Sequence, residues 1–317
     1  MTQVATHPTA RATRTFELTP RGPYSFAASL EFLEGFAPAA YRGSGHGGHL
    51  HLAFVADGGE EAAGVCVRDE GGALVGEVFG AANPAAARAQ VERILSLDVD
   101  GAGFPDIGRR DPVVGRLQAR YPGLRPVNFY SPYEAGAWAI IAGRIRITQA
   151  ARLKERMARE LGPAVEVHGE TLHAFPGPAR LRRLDGFQGL FGRKVEWLRA
   201  LAEATTAGRL DAARLRALPT EQALAELRAL PGIGPFGSEH ILLRGAGEPD
   251  YLPWREPRVP KAFATAYGLP AIPAPEEMGR IAEGWRPYRM WVTFLLRVMR
   301  EDDTHEIAGT GGAPGDG

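Results

Sequence analysis

The segment Leu230-Pro231-Gly232-Ile233-Gly234-Pro235-Phe236 joins two stretches of helical periodicity, and its residue types suit one kind of chemistry. Glycines at 232 and 234 let a hairpin bring backbone N–H groups close to a phosphate, and the start of the following helix adds partial positive charge. The same residues also suit a tight turn between helices, and the segment alone leaves both readings open. Two acids follow it. Asp250 lies in a Gly/Pro-containing loop and reads as a turn or cap residue. Glu256 stands between Arg255 and Arg258, and by residue type alone it reads as a solvated surface acid.

The surrounding elements set where these residues sit. From Arg14 to about Phe79, short alternating apolar runs such as HLHLAFVAD and AAGVCVRDEGGALVGEVFG, broken by glycine pairs, predict a small antiparallel β region. One helix interrupts it, with Ser25 capping FAASLEFLEGF, and GSGHGGH follows as a turn or flexible loop. Beyond Gly80 the pattern is helical. Asn83 with Pro84, Asp111 with Pro112, and the capping box Ser131-Pro132-Tyr133-Glu134 each open a helix. Further helices are predicted over about 149–161, 177–184, 193–207, 220–229, 237–244, 258–266, 275–283 and 287–300.

Composition bounds the class. The 317 residues are 44% apolar and 23% charged, a globular balance long enough for two domains. Lys plus Arg and Asp plus Glu are equal at 37 each, so a nucleic-acid partner would have to be met by a local face. Cys66 is the single cysteine, which argues against an internal disulfide, a cysteine-ligated zinc site and a four-cysteine iron–sulfur cluster. No apolar run suggests a signal peptide or a membrane span, so the expected location is the cytoplasm. The polar residues 1–13 and the Gly-rich end, residues 306–317, read as loose termini.

Longer stretches identify the chain with a known family. SPYEAGAWAIIAGRI, FPGPARL, GLFGRKVEWLRALAEATTAGRLDAARLRALP, the hairpin, the helix ending LLRG, and AEGWRPYR occur in the order found in the 3-methyladenine glycosylase II branch of the helix-hairpin-helix DNA glycosylases. The sequence resembles that family over residues 98–300 and more weakly from about residue 20. The resemblance implies an α+β, mainly α fold: a TATA-binding-protein-like antiparallel β domain (14–97), then a helical region (98–305) of two subdomains containing the helix-hairpin-helix. It implies a monofunctional enzyme of base-excision repair that flips an alkylated purine out of double-stranded DNA and hydrolyses its glycosidic bond. A monomer at the nucleoid is expected.

Residue roles follow by the same resemblance. The family's catalytic Asp maps onto Glu256, where the added methylene moves the carboxylate by about 1.5 Å, an error that can cost about a hundredfold in rate. The alternative is a catalytically altered or inactive DNA-binding protein, and a third reading is a protein-interaction module using the hairpin as a turn. The gap left by the flipped base would be plugged by Arg144, on a helical stripe with Ala137, Ile140 and Ile141. Gly232, Ile233, Gly234 and Gly237 would meet the DNA backbone. Phe32, Phe236 and His240 would line the base pocket, with Pro257 and Arg297 where relatives carry aromatics. Phe236 also occupies the position of the lyase members' Schiff-base lysine, which argues for hydrolysis alone. No cofactor is required, although Na+ or K+ would be held by the carbonyls of Arg228, Leu230 and Ile233. The basic residues Arg180, Arg182, Arg183, Arg193 and Lys194 read as a solvated face.

Overall fold

The computed structural model describes residues 14–35 and 47–305, so the expectations for the two termini and for residues 43–46 of the Gly-rich stretch lie outside the described residues. Strands β1 (Arg14–Leu18), β2 (His49–Val55), β3 (Ala62–Glu70) and β4 (Ala73–Gly80) form one antiparallel sheet in the order β1-β4-β3-β2, with helix α1 (Phe26–Gly35) between β1 and β2. Period-2 alternation decides its faces. Leu50, Leu52, Phe54, Val65, Val67 and Val78 point to one side and pack under α1 and under α2 (Pro84–Ile94). Ser25 and Asn83 cap these two helices as expected, accepting from Ala28 N at 3.1 Å and Ala85 N at 2.9 Å.

The opposite face is covered by a hairpin that the sequence reading missed, β5 (Ala164–Val167) paired with β6 (Glu170–His173). Its signal was a two-residue loop, His168-Gly169, between short alternating runs. Both loop residues take left-handed φ, 47° and 82°, the geometry of a tight hairpin turn.

The other helices are α3 (Phe104–Arg110), α4 (Pro112–Arg120), α5 (Pro132–Ala142), α6 (Ile147–Leu161), α7 (Pro178–Arg182), α8 (Lys194–Thr206), α9 (Ala212–Ala217), α10 (Thr220–Arg228), α11 (Pro235–His240), α12 (Arg258–Tyr267), α13 (Pro275–Ala282) and α14 (Arg289–Thr304). They build two hydrophobic cores. One gathers α5, α6 and α8–α10 around Trp138, Leu198, Leu224 and Ile233; the other gathers α3, α4 and α12–α14 around Phe263, Trp285 and Phe294. The chain passes between them just after α11, where Ile241–Gly245 winds as a π-helix. Ile241 and Leu242 belong to the first core and Leu243 to the second.

The capping box at Ser131 forms only by half. Ser131 Oγ accepts from Glu134 N at 3.0 Å, but the Glu134 carboxylate turns to Lys154 Nζ at 2.5 Å, tying α5 to α6. Arg125, 1% exposed, fastens the β unit to the helices by donating to the carbonyls of Pro23, Ser96, Val99 and Arg21. It has no carboxylate partner among these bonds, and burial holds its pKa below the ordinary value. Replacing Arg125 with Met takes the side-chain donor from the carbonyls of Pro23, Ser96 and Val99, while that of Arg21 keeps Gly101 N, so Arg125→Met is expected to lower unfolding free energy by about 3 kcal/mol. Denaturant titration checks this.

Candidate active site

The hairpin between α10 and α11 is anchored by apolar side chains and leaves its backbone exposed. Leu230 and Ile233 are buried in the first core. Gly232 has φ 81° and lies against the Trp197 ring, where a Cβ would come within 2.5 Å of Cδ2, so no other residue fits. Gly234 faces open space, and a Cβ there would meet nothing within 4 Å. Among the described residues neither glycine's N–H is used in a backbone hydrogen bond. Gly237 is buried behind them, next to Ala139 of α5. These are outward-facing donors at a helix start, the arrangement that accepts a phosphate.

Arg144 is exposed, but not on a helical stripe. Gly143 ends α5 by turning to ψ 121°, and Arg144 follows in a left-handed turn at φ 61°. Lys194 is turned inward, where it donates to the Ile141 carbonyl at 2.8 Å and closes the end of α5; Arg193 pairs with Glu196 at 2.9 Å. The remaining arginines of that basic group are exposed.

A cavity of about 230 Å³ opens along the seam of the two cores. Trp138, Phe236 and His240 line it from one side, and Glu256, Arg258 and Arg297 from the other. Glu256 is therefore not a solvated acid; it is 5% exposed. A backbone turn from Pro253 carries it to the threshold of α12, where its Oε1 accepts from Arg258 N at 3.2 Å and Arg258 Nε at 2.8 Å. Arg297 Nε, reaching across from α14, lies 2.7 Å from Oε2 as an ion pair not aligned as a hydrogen bond. Burial alone would raise the Glu256 carboxyl, but the charges of Arg297 and Arg258, with the Arg258 hydrogen bonds, outweigh it and hold the pKa below its ordinary value. The group is an anion at neutral pH.

The expected pocket residues divide. Phe236, 46% exposed, stacks on His240 at 5.8 Å and 18°, and Phe129 meets the same imidazole edge-on at 4.9 Å. Desolvation, with the charges of Arg244, Arg297 and Arg258, pushes the His240 pKa down to about 3, so the ring is neutral, and its Nε2 is buried with no hydrogen-bond partner among the described residues. Phe32 is elsewhere. It packs on Phe294 at 4.9 Å and lines an adjacent cavity of about 600 Å³ that shares Arg244 and Arg297 with the first. Pro257 is exposed and lines neither cavity.

Two acids complete the picture. Asp250 clamps Arg289 (2.8 Å) and Arg286 (2.8 Å), a structural part outside the cavity. Glu239 of α11 lines the cavity and was not singled out from the sequence, since one acid in a short helix carries no signal of burial. Its Oε1 accepts from Arg255 Nη1 at 2.8 Å, and burial raises its pKa against that partner.

No family model matches the chain. Among curated proteins it is 23% identical over 210 residues to a DNA-3-methyladenine glycosylase of Bacillus subtilis, covering 65% of this chain and 69% of that one. It is 30% identical over 191 residues to DNA-3-methyladenine glycosylase 2 of Escherichia coli, covering 58% of this chain and 63%, less than two thirds, of that protein. The solved 3-methyladenine DNA-glycosylase from Archaeoglobus fulgidus superposes with a TM-score of 0.74 at 22% identity, over 92% of this chain and 99% of its own, and shares the fold. The chain is thus similar in sequence to DNA-3-methyladenine glycosylases and shares the fold of one of them. Within that fold, the seam between the two helical cores holds both the hairpin's neighbour, α11, and Glu256.

The His240 environment has a measurable consequence. With the folded pKa near 3 and the ordinary value near 6.5, the unfolded chain takes up the proton first as pH falls, so this residue's contribution to stability rises with pH across that window and is lost on acidification. His240→Phe keeps the stack and removes the proton. Relative to the variant, the wild type is expected to lose about 1–2 kcal/mol between pH 7 and pH 5. A stability difference that stays constant over that range contradicts a buried neutral imidazole.

Proposed function

We propose that this protein is a monofunctional DNA glycosylase that draws a damaged purine out of duplex DNA and releases it by hydrolysis, with Glu256 as the catalytic carboxylate. The observation that carries the reading is a buried, ionised carboxylate on the wall of a cleft whose other wall bears aromatic rings and, at its rim, a hairpin with open backbone donors. Cleaving the N-glycosidic bond leaves an oxocarbenium-like sugar; the bond's electron pair departs with the base, and water adds to the anomeric carbon while losing a proton. Glu256 is suited to stabilise that cation and orient the water.

The hydrolytic assignment rests on the lining. Phe236 occupies the position where a lyase would need an amine, and among the described residues no lysine lines the cavity. The partner is double-stranded DNA, held through Gly232, Ile233, Gly234 and Gly237, with Arg144 placed on an exposed turn to fill the vacated stack. The chain acts as a monomer. Na+ or K+ fits the hairpin's inner side: among the described residues the carbonyls of Arg228 and Ile233 accept no backbone hydrogen bond, and that of Leu230, which accepts from Ile233 N at 3.1 Å, keeps a second lone pair. Such an ion would stiffen the phosphate-facing turn.

Arg297 sets the substrate range. Arg244, Arg258 and Arg297 against Glu239 and Glu256 leave the cavity lining with one excess positive charge, and a unit charge about 4 Å from a cationic base costs about 4 kcal/mol at an effective dielectric of 20. Neutral lesions are therefore favoured over cationic methylated purines while Arg297 stays on Glu256. The adjacent cavity, which Arg297 also lines, offers its side chain space to withdraw.

Duplexes carrying 3-methyladenine, 7-methylguanine, hypoxanthine or 1-methyladenine test the reading. Base release is expected from one or more of them, with strand breaks only after alkali. Glu256→Gln is expected to lower the single-turnover rate by about a hundredfold or more. Arg297→Met is expected to raise the ratio of 7-methylguanine to hypoxanthine excision by about tenfold. Breaks without alkali would refute the hydrolytic assignment, and a Glu256→Gln enzyme of undiminished rate would refute the role of the carboxylate.

A further inference from the structure

We propose that His49, His51 and Cys66 form a binding site for a zinc-type divalent metal between the N-terminal sheet and the β5–β6 hairpin. A single cysteine excludes a cysteine-rich zinc site but not one built mainly of histidine. Strand pairing supplies the rest of the ligand set. Along β2, His49 and His51 alternate with the core residues Leu50 and Leu52, so both point to the face that the hairpin covers. On that face His51 stands directly opposite Cys66 of β3.

One separation in the cluster matches that of a tetrahedral site. One ligand atom from each of the three residues lies within 4.8 Å of the others. Cys66 Sγ is 3.6 Å from His49 Nδ1. Zinc–sulfur and zinc–nitrogen bonds of about 2.3 and 2.05 Å at a tetrahedral angle place the two atoms about 3.5 Å apart. Cys66 is fully buried and His51 is 8% exposed.

His51 supplies the observation that a weak thiol–imidazole contact leaves unexplained. Its Nδ1 meets Glu170 Oε2 of β6 at 3.1 Å, while its Nε2 is buried with no hydrogen-bond partner among the described residues. A carboxylate on one ring nitrogen orients the imidazole and leaves the lone pair on the other for a metal, the usual outer-shell arrangement of histidine ligands. His168, at the hairpin tip, has its ring centroid 5.6 Å from that of His51 and its Nε2 3.3 Å from Glu77 Oε2. It or a water would complete the fourth position. Thiolate with imidazoles selects zinc-type ions over magnesium or calcium.

On binding, the metal forms a bond to Cys66 sulfur, and the thiol proton passes to solvent. Because Glu170 and His168 belong to the hairpin while the ligands belong to the sheet, the ion would clamp the two together.

The test uses the full chain stripped with a chelator and titrated with Co2+, then with Zn2+. One equivalent of Co2+ is expected to give visible tetrahedral bands and a near-ultraviolet thiolate-to-cobalt charge-transfer band, displaced by Zn2+, and Zn2+ is expected to raise the thermal midpoint. Cys66→Ala is expected to lose the charge-transfer band and the thermal shift, and His51→Gln to weaken Co2+ affinity at least tenfold, with far-ultraviolet circular dichroism reporting that both remain folded. If either variant unfolds, protection of the wild-type thiol from alkylation in denaturant-free buffer by one equivalent of Zn2+ decides instead. Absence of a charge-transfer band in the wild type, an unaltered titration in a folded Cys66→Ala, or failure of Zn2+ to protect the thiol overturns the site.

Discussion

A buried carboxylate held between two guanidinium groups at the seam of two cores is the interaction around which this structure is arranged. Glu256 is fixed from its own chain by Arg258, two residues on, and from α14 by Arg297. Breaking such a buried group from one partner only would leave an unpaired charge, a loss of about 3–5 kcal/mol, which is why the carboxylate is held in one place. The same attraction that positions it also neutralises it. In the role proposed for it, Glu256 needs its charge available when the sugar becomes cationic, so Arg297, which faces a second cavity, is the group on which the balance turns.

The elements around the seam explain how a chain of zero formal net charge can present such a site. The hairpin needs no basic side chain, because Leu230 and Ile233 anchor it from below and Gly232 and Gly234 leave its amides open. The π-helical turn Ile241–Gly245 then hands the chain from one core to the other while Gly245 lies so close to α5 that a Cβ would come within 2.7 Å of Pro132 Cα. The hairpin, α11 and the approach to Glu256 are thus fixed relative to both cores by apolar packing, and the polar groups of the cleft are placed by it.

Much of this was legible in the residues. Caps at Ser25, Asn83 and Asp111 mark helix starts because short polar side chains satisfy free amides, and they do so here. The hairpin was legible through its glycines, and the burial of Glu256 only through the family resemblance, since its flanking arginines suggest a surface. What failed to show were pairings between distant segments. The half-formed box at Ser131 depends on Lys154, the burial of Lys194 on the end of α5, and the placement of Phe32 on Phe294. None of these contacts has a local signal. Arg144 was misplaced for a local reason, since Gly143 ends the helix one residue before it. Arg297 was noted as a departure from an aromatic, but its reach to Glu256 needed the crossing of α14 behind α12.

The central claim is that the Glu256 charge remains effective despite its two arginine partners. Comparing affinity for two duplexes tests it most directly, one carrying a neutral tetrahydrofuran abasic site and one a protonated pyrrolidine in the same position, a mimic of the cationic sugar. The wild type is expected to bind the pyrrolidine duplex at least about tenfold more tightly, with the preference lost when Glu256 is changed to Gln. Equal binding, or preference for the neutral duplex, would show that Arg258 and Arg297 cancel the carboxylate and would contradict the account.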